Sequence, residues 1–171
     1  MQFSGPLMDE GRLLAGSRTA LARFSTGLAV RAGVPKPDIS TPEKLKSALL
    51  AVGSVSYSGG ASGMHFVKVL ERLGIADAIA VKRVVPRPGE LVGAVVARGA
   101  ADIGVQQISE LLPVSGIAIL EPLPAELQQT IIYGATAFPQ STQRETTQVF
   151  VSFLRSEAAH AVLRRKGLDP V

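Results

Sequence analysis

The stretch from residue 54 to residue 66 constrains this chain most. It reads Ser-Val-Ser-Tyr-Ser-Gly-Gly-Ala-Ser-Gly-Met-His-Phe: a short β-like run, then small and hydroxyl residues, then apolar residues at helical spacing. A strand that enters a helix through such a loop presents backbone N–H groups, hydroxyls and the positive end of a helix dipole at one place. The stretch predicts an anion-binding loop in which Ser58 or Ser62 caps the helix and donates to a bound oxygen. An ordinary capped turn is the alternative interpretation.

The composition excludes several classes of site. Of the 171 residues, 46% are hydrophobic and 19% charged, which is typical of a globular chain. The net charge of +4 is scattered, and aromatic residues make up only 5% with no Trp, so we expect no nucleic-acid partner. The chain has no cysteine, and its two histidines, His65 and His160, lack metal-ligand spacing. We therefore expect no metal and no cofactor.

The order of elements indicates the fold class. Helix-start signals, such as Thr41 followed by Pro42, alternate with short β-branched runs, and this alternation predicts an α/β fold with a largely parallel sheet. The buried run 101–107 ends in Gln106 and Gln107. Ligands of open α/β sheets collect at the carboxyl ends of strands, and two buried amides need hydrogen-bond partners. Either a ligand or a crossing backbone segment would supply these partners, so the two residues are further binding candidates.

Several segments in a fixed order carry a resemblance to a known family. The segments are 30–41 (VRAGVPKPDIST), 56–63 (SYSGGASG), 101–111 (ADIGVQQISEL), 153–159 (FLRSEAA) and 166–168 (KGL). From about Leu7 to its last residue the chain resembles the molybdate-type (type 2) periplasmic substrate-binding proteins of ABC transporters. The resemblance implies a periplasmic-binding-protein-like (type 2) α/β lobe with a mixed, mostly parallel sheet flanked by helices, plus a remnant of a second lobe.

The resemblance also implies a domain organisation. Residues 1–33 would be a remnant of the first lobe with a crossing strand, 34–112 the second lobe, and 113–171 a return segment with helices of the first lobe. Family members carry a further half-lobe before the matching region, so we expect an N-terminally truncated form that associates as a homodimer through exposed apolar faces. An ABC permease and a periplasmic location follow from the resemblance. Residues 1–6 lack the features of an export signal, which predicts a cytoplasmic location for the chain as given.

Ligand-binding residues are carried over motif by motif. The loop around Ala61 matches the family's backbone donor at a helix start, and the region around Leu91 matches a second one. Gln107 falls where molybdate binders carry a tyrosine, and an amide also donates hydrogen bonds. The ligand is therefore a small anion, either a molybdate-like oxyanion or a small organic acid. The expected ligand-binding residues are therefore Ser58, Gly60, Ala61, Ser62, Glu90, Leu91 and Gln107.

Three functions remain open at the level of sequence. The first is a non-catalytic solute-binding component of an ABC transporter. The second is a ligand-sensing or interaction domain without a transport role. The third is a serine hydrolase that uses Ser62, because residues 60–64 differ from the Gly-x-Ser-x-Gly motif only at Met64, with His65 or His160 as the base. A solute-binding component would have no catalytic residue. The basic residues Lys82, Arg83 and Arg87 are interpreted as a solvated edge.

Overall fold

The computed structural model describes residues 5–171, which form eight helices and eight strands. The helices are α1 (Gly5–Asp9), α2 (Pro42–Ala51), α3 (Ala61–Arg72), α4 (Ala76–Ala80), α5 (Val92–Ala97), α6 (Ile108–Leu111), α7 (Arg144–Leu154) and α8 (Glu157–Arg165). The strands are β1 (Thr19–Phe24), β2 (Thr26–Arg31), β3 (Val55–Tyr57), β4 (Arg83–Val84), β5 (Ile103–Gln107), β6 (Ile117–Pro122), β7 (Ile131–Ala135) and β8 (Asp169–Pro170). These helices and strands belong to two compact units. The larger unit is Ser25–Gln129, and the smaller unit combines the described residues up to Phe24 with Thr130–Val171.

The larger unit is built on a five-stranded sheet with the order β4-β3-β5-β2-β6. Strand β3 pairs in parallel with β4 and β5, whereas β2 pairs antiparallel with β5 and β6. The predicted mixed α/β class is confirmed. The expectation of a mostly parallel sheet is wrong, because among the described residues only the β3–β4 and β3–β5 pairs are parallel. Because these three strands run in one direction, their carboxyl ends lie at a common edge, which we call the carboxyl edge.

Helices cover both faces of this sheet. One buried cluster joins apolar side chains of α2, α3 and α4 to those of β2, β3 and β5. Within it, the rings of Tyr57 and Phe66 meet edge to face, with their centroids 5.4 Å apart. On the other face, α5 packs against Gly104, where an added Cβ would lie 2.6 Å from Val96 Cγ2. The glycine therefore sets how closely α5 approaches the sheet.

Local signals account for the start of α2. Thr41 has extended backbone geometry, and its hydroxyl accepts a hydrogen bond from the Lys44 N–H at 3.3 Å. Pro42 follows as the first helical residue, where its missing N–H costs no helical hydrogen bond. An N-cap of this kind stabilises a helix by about 1 kcal/mol. The predicted start of α2 is confirmed.

The smaller unit has a three-stranded antiparallel sheet with the order β7-β1-β8. Phe24 and Tyr133 pack across β1 and β7 with ring centroids 4.9 Å apart. Helix α7 has no buried residue, and its side chains Val149, Phe150 and Phe153 are 65%, 58% and 56% exposed. Across residues 5–171, no helix combines the length and apolar character needed to cross a bilayer.

Candidate functional site

The loop between β3 and α3 forms a tight turn against the first turn of the helix. Gly60 is the N-cap of α3, and the Ser58 hydroxyl accepts a hydrogen bond from the Gly60 N–H at 3.2 Å. An added Cβ on Gly63 would lie 1.8 Å from the Ser58 carbonyl oxygen, so the helix reaches this position only because residue 63 has no side chain. The prediction that Ser58 or Ser62 caps α3 is wrong. The turn places Gly60 at that position, and no side chain caps the helix.

The first turn of α3 keeps its backbone donors available. The Met64 N–H donates to the Gly60 carbonyl at 2.9 Å and begins the hydrogen-bond ladder of the helix. The three preceding N–H groups, those of Ala61, Ser62 and Gly63, have no acceptor among residues 5–171. Three adjacent donors at the positive end of a 12-residue helix are suited to an anion.

The Ser62 side chain is buried without a hydrogen-bond partner. The residue is 2% exposed, and the described part of the chain offers its hydroxyl no partner. Among residues 5–171, the enclosed side-chain atoms without a hydrogen-bond partner are Thr26 Oγ1 and His160 Nε2, so the Ser62 oxygen is open to solvent. It lies beside three N–H groups without acceptors, and together these donors are suited to a ligand oxygen. The structure thus brings Ser62 together with the loop residues Ser58 and Gly60, as the sequence predicts.

Gln106 and Gln107 point to opposite faces of the sheet. The Gln106 side-chain oxygen accepts a hydrogen bond from the Val92 N–H at 2.9 Å. It therefore satisfies a backbone donor in the first turn of α5. Successive residues of a strand alternate in direction, so Gln107 lies on the face of its i−2 neighbour Val105, which is the face that α3 covers. Gln107 also interacts within the chain. Only Gln107 of this pair therefore lies on the same face as Ser62.

The start of α5 lies at the carboxyl edge on the other face of the sheet. The Glu90 N–H donates to the Arg87 carbonyl at 2.9 Å, and the Glu90 carboxylate accepts from the Arg87 N–H and contacts Arg98 at 3.3 Å. Glu90 therefore closes a turn with both its backbone and its side chain. The N–H of Leu91, the N-cap of α5, has no acceptor within residues 5–171. Of the two predicted binding residues, Glu90 and Leu91, it is Leu91 that has a backbone N–H available to a ligand.

Arg83 lies beside the loop, and its contact with Tyr57 was not expected from sequence. Its guanidinium is centred 4.2 Å from the Tyr57 ring centroid, and Nη2 donates to the Tyr57 carbonyl at 3.3 Å. The Tyr57 carbonyl belongs to the peptide group that enters the loop at Ser58. Arg83 is exposed on β4, the edge strand of the sheet, which agrees with its interpretation as a solvated edge residue, and its contact with Tyr57 is an addition to that interpretation. The contact of Arg83 with Tyr57 depends on the parallel pairing of β3 and β4. This pairing joins distant parts of the chain and has no local sequence signal.

His65 tethers α3 to a distant segment. Its Nε2 lies 2.8 Å from the Leu127 carbonyl and donates to it. Burial lowers the pKa of His65, although the bond to Leu127 acts in the opposite direction. His160 belongs to the smaller unit, where it lies 3.9 Å from Glu157. The hydrolase hypothesis therefore lacks support at His65, whose Nε2 is already engaged.

The lowered pKa of His65 predicts a stability that decreases in acid. As the pH falls below about 6.5, the unfolded chain binds a proton at this residue that the folded chain does not. The His65→Gln variant keeps a side-chain N–H for Leu127 and cannot titrate. We expect the free energy of unfolding, measured by urea denaturation between pH 7.5 and pH 5, to fall more steeply for the wild type than for this variant. If the free energies of unfolding of the two proteins depended on pH in the same way, the lowered pKa of His65 would be contradicted.

The site contains no cluster of metal ligands. Within residues 5–171, no group of three or more His, Cys, Asp or Glu side chains is arranged to hold a metal ion. The donors at the carboxyl edge are backbone N–H groups, a hydroxyl, an amide and a guanidinium, and the Glu90 carboxylate at this edge is paired with Arg98 and the Arg87 N–H. These groups donate hydrogen bonds and suit an anionic ligand.

Comparisons with known proteins identify one curated relative and several solved structures that are similar to this chain. A curated relative, an aconitate isomerase from Pseudomonas sp, is 36% identical over 165 residues, which cover 96% of this chain and 63% of the relative. The chain thus spans less than two thirds of that protein. The substrate-binding domain of a putative molybdenum ABC transporter from Clostridium difficile superposes with a TM-score of 0.76 at 22% identity. The superposition covers 100% of this chain and 74% of that domain's chain. The periplasmic molybdate-binding protein of Azotobacter vinelandii gives 0.74 at 20% identity, with coverages of 98% and 74%.

The two solved structures show the fold, which is that of the molybdate-type periplasmic binding proteins, as the sequence resemblance implies. The family model for bacterial extracellular solute-binding proteins matches residues 3–169, nearly the whole chain. A match of this extent establishes the family. The chain is therefore a member of the bacterial extracellular solute-binding protein family.

Proposed function

We propose that this chain binds a small anion at the carboxyl edge of its larger unit. The observation that carries the proposal is the unpaired Ser62 hydroxyl, which lies next to three N–H groups without acceptors at the start of α3. A bound oxygen would accept from these donors without an opposing carboxylate, as helix N-termini bind anions generally. The proposed contacts are made by Ser58, Gly60, Ala61, Ser62, Leu91 and Gln107.

The proposed role is that of a solute-binding component that delivers its ligand to an ABC permease outside the cytoplasm. Membership of an extracellular solute-binding protein family supports the location. The likeness to the substrate-binding domain of a putative molybdenum ABC transporter supports the permease. A ligand-sensing domain would use the same site, so the two roles are distinguished by whether ligand-loaded protein stimulates ATP hydrolysis by a reconstituted permease.

Binding is tested by the removal of one hydroxyl. We expect a thermal shift on addition of an anion from a panel of molybdate, tungstate, sulfate, phosphate and small carboxylates. The Ser62→Ala variant should bind the selected anion roughly tenfold more weakly, because a hydrogen bond to a charged group contributes about 1.5–3 kcal/mol. Ser115, an exposed serine of the larger unit, provides the matched control Ser115→Ala. Equal affinities of the two variants would contradict the proposed site.

Catalysis is the second candidate function, and the identity of 36% to an aconitate isomerase favours it. Any isomerisation that moves a proton requires a general acid or base close to the substrate. At the proposed site the donors are a hydroxyl, an amide, a guanidinium and backbone N–H groups, and we therefore propose binding without turnover. Incubation with cis-aconitate, followed by proton NMR, tests this choice. Formation of the trans isomer that Ser62→Ala abolishes would establish the enzyme instead.

We also propose that the chain self-associates through α7. Val149, Phe150 and Phe153 lie on one face of this helix and are each more than half exposed. A second copy of the chain would remove this apolar surface from water, which is favourable by about 25 cal/mol per Å². Light scattering coupled to size-exclusion chromatography should give a dimer for the wild type and a monomer for Phe150→Asp. A monomeric wild type would contradict this proposal.

A further inference from the structure

We propose that the larger unit has a second ligand site, a cleft that binds a small zwitterion with an apolar side chain, which is the chemistry of a free amino acid. The cleft lies at the edge of the sheet where β3 and β5 begin and β2 ends, which we call the amino edge. The proposed anion site lies at the opposite, carboxyl edge. The inference is therefore independent of the proposed function.

The size and walls of the cleft suit a small molecule. Its volume is about 540 Å³, and all of its lining residues belong to the larger unit. Small-molecule sites in proteins occupy about 300–1,000 Å³. Val34, Ala48 and Val52 line the cleft, pack against the apolar core and are only half-buried. An apolar group of a ligand would remove their exposed surface from water, which is favourable.

Two opposite charges face the cleft without pairing. The antiparallel register of β2 and β5 aligns Val30 with Ile103, so the next positions outward, Arg31 and Asp102, lie opposite each other and on the same face of the sheet. Both residues line the cleft. Among residues 5–171 they form no ion pair with each other or with another side chain, and the Arg31 guanidinium has no hydrogen bond.

Contacts within the chain show where each charged group lies. Arg31 Nη1 would be 3.5 Å from a Cβ added at Gly99, so the guanidinium lies beside that glycine. Oδ2 of Asp102 accepts hydrogen bonds from the Gly53 and Ser54 N–H groups, each at 2.9 Å. Its other carboxylate oxygen, Oδ1, has no hydrogen bond within the described part of the chain. Gly53 and Gly99 both line the cleft, which therefore keeps one guanidinium and one carboxylate oxygen available.

This pair of charges selects the class of ligand. A simple anion would be attracted by Arg31 and repelled by Asp102, and a simple cation would meet the reverse. A zwitterion satisfies both groups, because its carboxylate forms charge-assisted hydrogen bonds with the guanidinium and its ammonium donates to Oδ1. The third charged residue of the cleft, Lys36, directs its ammonium to the Ile119 carbonyl at 3.2 Å.

Calorimetric titration with matched small molecules tests the inference. The probes are leucine, phenylalanine and glycine, together with leucinamide, which lacks the carboxylate, and 4-methylpentanoate, which lacks the ammonium. The variants are Arg31→Gln and Asp102→Asn, and the second keeps a side-chain oxygen for the Gly53 and Ser54 N–H groups. The matched control is Arg87→Gln, which removes an exposed arginine outside the cleft. The melting temperature of each ligand-free variant shows whether it folds.

We expect the wild type and Arg87→Gln to bind leucine or phenylalanine with equal affinity. Arg31→Gln and Asp102→Asn should each bind the same amino acid at least about tenfold more weakly, because each loses a hydrogen bond between charged groups. Leucinamide and 4-methylpentanoate should bind the wild type at least about tenfold more weakly than leucine for the same reason. Glycine should also bind more weakly than leucine, because it has no apolar group to place against the wall.

Assigned amide spectra locate the bound amino acid. It should shift the N–H signals of Gly53 and Gly99 and leave those of Ala61, Ser62 and Gly63 unchanged. Three results would each overturn the second site: no binding of either leucine or phenylalanine to the wild type, equal affinities of Arg31→Gln and Arg87→Gln, or shifts confined to the first turn of α3. None of them would affect the proposed anion site, which the anion panel and Ser62→Ala test separately.

Discussion

The Gly63→Ala variant should lose about 3 kcal/mol of folding free energy and its anion binding. Its new Cβ would lie 1.8 Å from the Ser58 carbonyl oxygen, a backbone atom that cannot move unless the loop moves with it. Overpacking against a buried backbone costs about 1–3 kcal/mol and occasionally more. A loss of this size would lower the melting temperature by roughly 10 °C in a chain of this length.

Gly59→Ala is the matched control for this variant. Gly59 lies four positions earlier in the same loop, is exposed, and has no atom within 4 Å of an added Cβ. We expect its melting temperature and its anion affinity to be close to those of the wild type. If scanning calorimetry gave the two variants the same melting temperature, the close approach of α3 to Ser58 would be refuted.

Phe66→Ala should destabilise the chain by about 3–5 kcal/mol, which is typical of a fully buried aromatic residue. Phe66 is 0% exposed, and its ring supports Tyr57, on which the Arg83 guanidinium stacks. The variant should therefore also lose affinity for the anion. Urea denaturation measures the first effect, and calorimetric titration at a temperature where the variant remains folded measures the second.

Val67→Ala provides the comparison on the same helix. Val67 is the next residue and lies on the exposed side of α3, so we expect a loss of less than about 1 kcal/mol. If Phe66→Ala were no more destabilising than Val67→Ala, the assignment of Phe66 to the core would be wrong. If Phe66→Ala were destabilised and bound the anion as tightly as the wild type, the link from Phe66 through Tyr57 to the site would be wrong.

Local signals predicted much of the fold. Thr41 and Pro42 fixed the start of α2, and the small residues around Gly60 identified the turn into α3. Short strands were harder to bound. The run 81–85 contains three valines and is typical of a strand, but β4 comprises only Arg83–Val84, because Val81 is the C-cap of α4. In each correct case the information lies within a few neighbouring residues.

The anion site around Ser62 stays a prediction. It can be made from sequence because an anion-binding loop has a local signature. For Gln106 the partner is a backbone group, the Val92 N–H 14 residues away, which is one of the two alternatives that the sequence left open. The contact between Arg83 and Tyr57 was not predicted, because it depends on the parallel pairing of β3 and β4, and the two residues are 26 positions apart. Such contacts are set by tertiary structure and leave no trace in local spacing.

Amide chemical shifts test most directly whether the first turn of α3 binds the anion. Assigned proton–nitrogen correlation spectra of the 171-residue chain would be recorded during titration with each anion of the panel. We predict that the largest saturable shifts occur at the N–H groups of Ala61, Ser62 and Gly63, and that Ser62→Ala needs roughly tenfold more anion to reach the same saturation. Saturable shifts confined to other parts of the chain, with these three amides unchanged, would contradict binding at this turn.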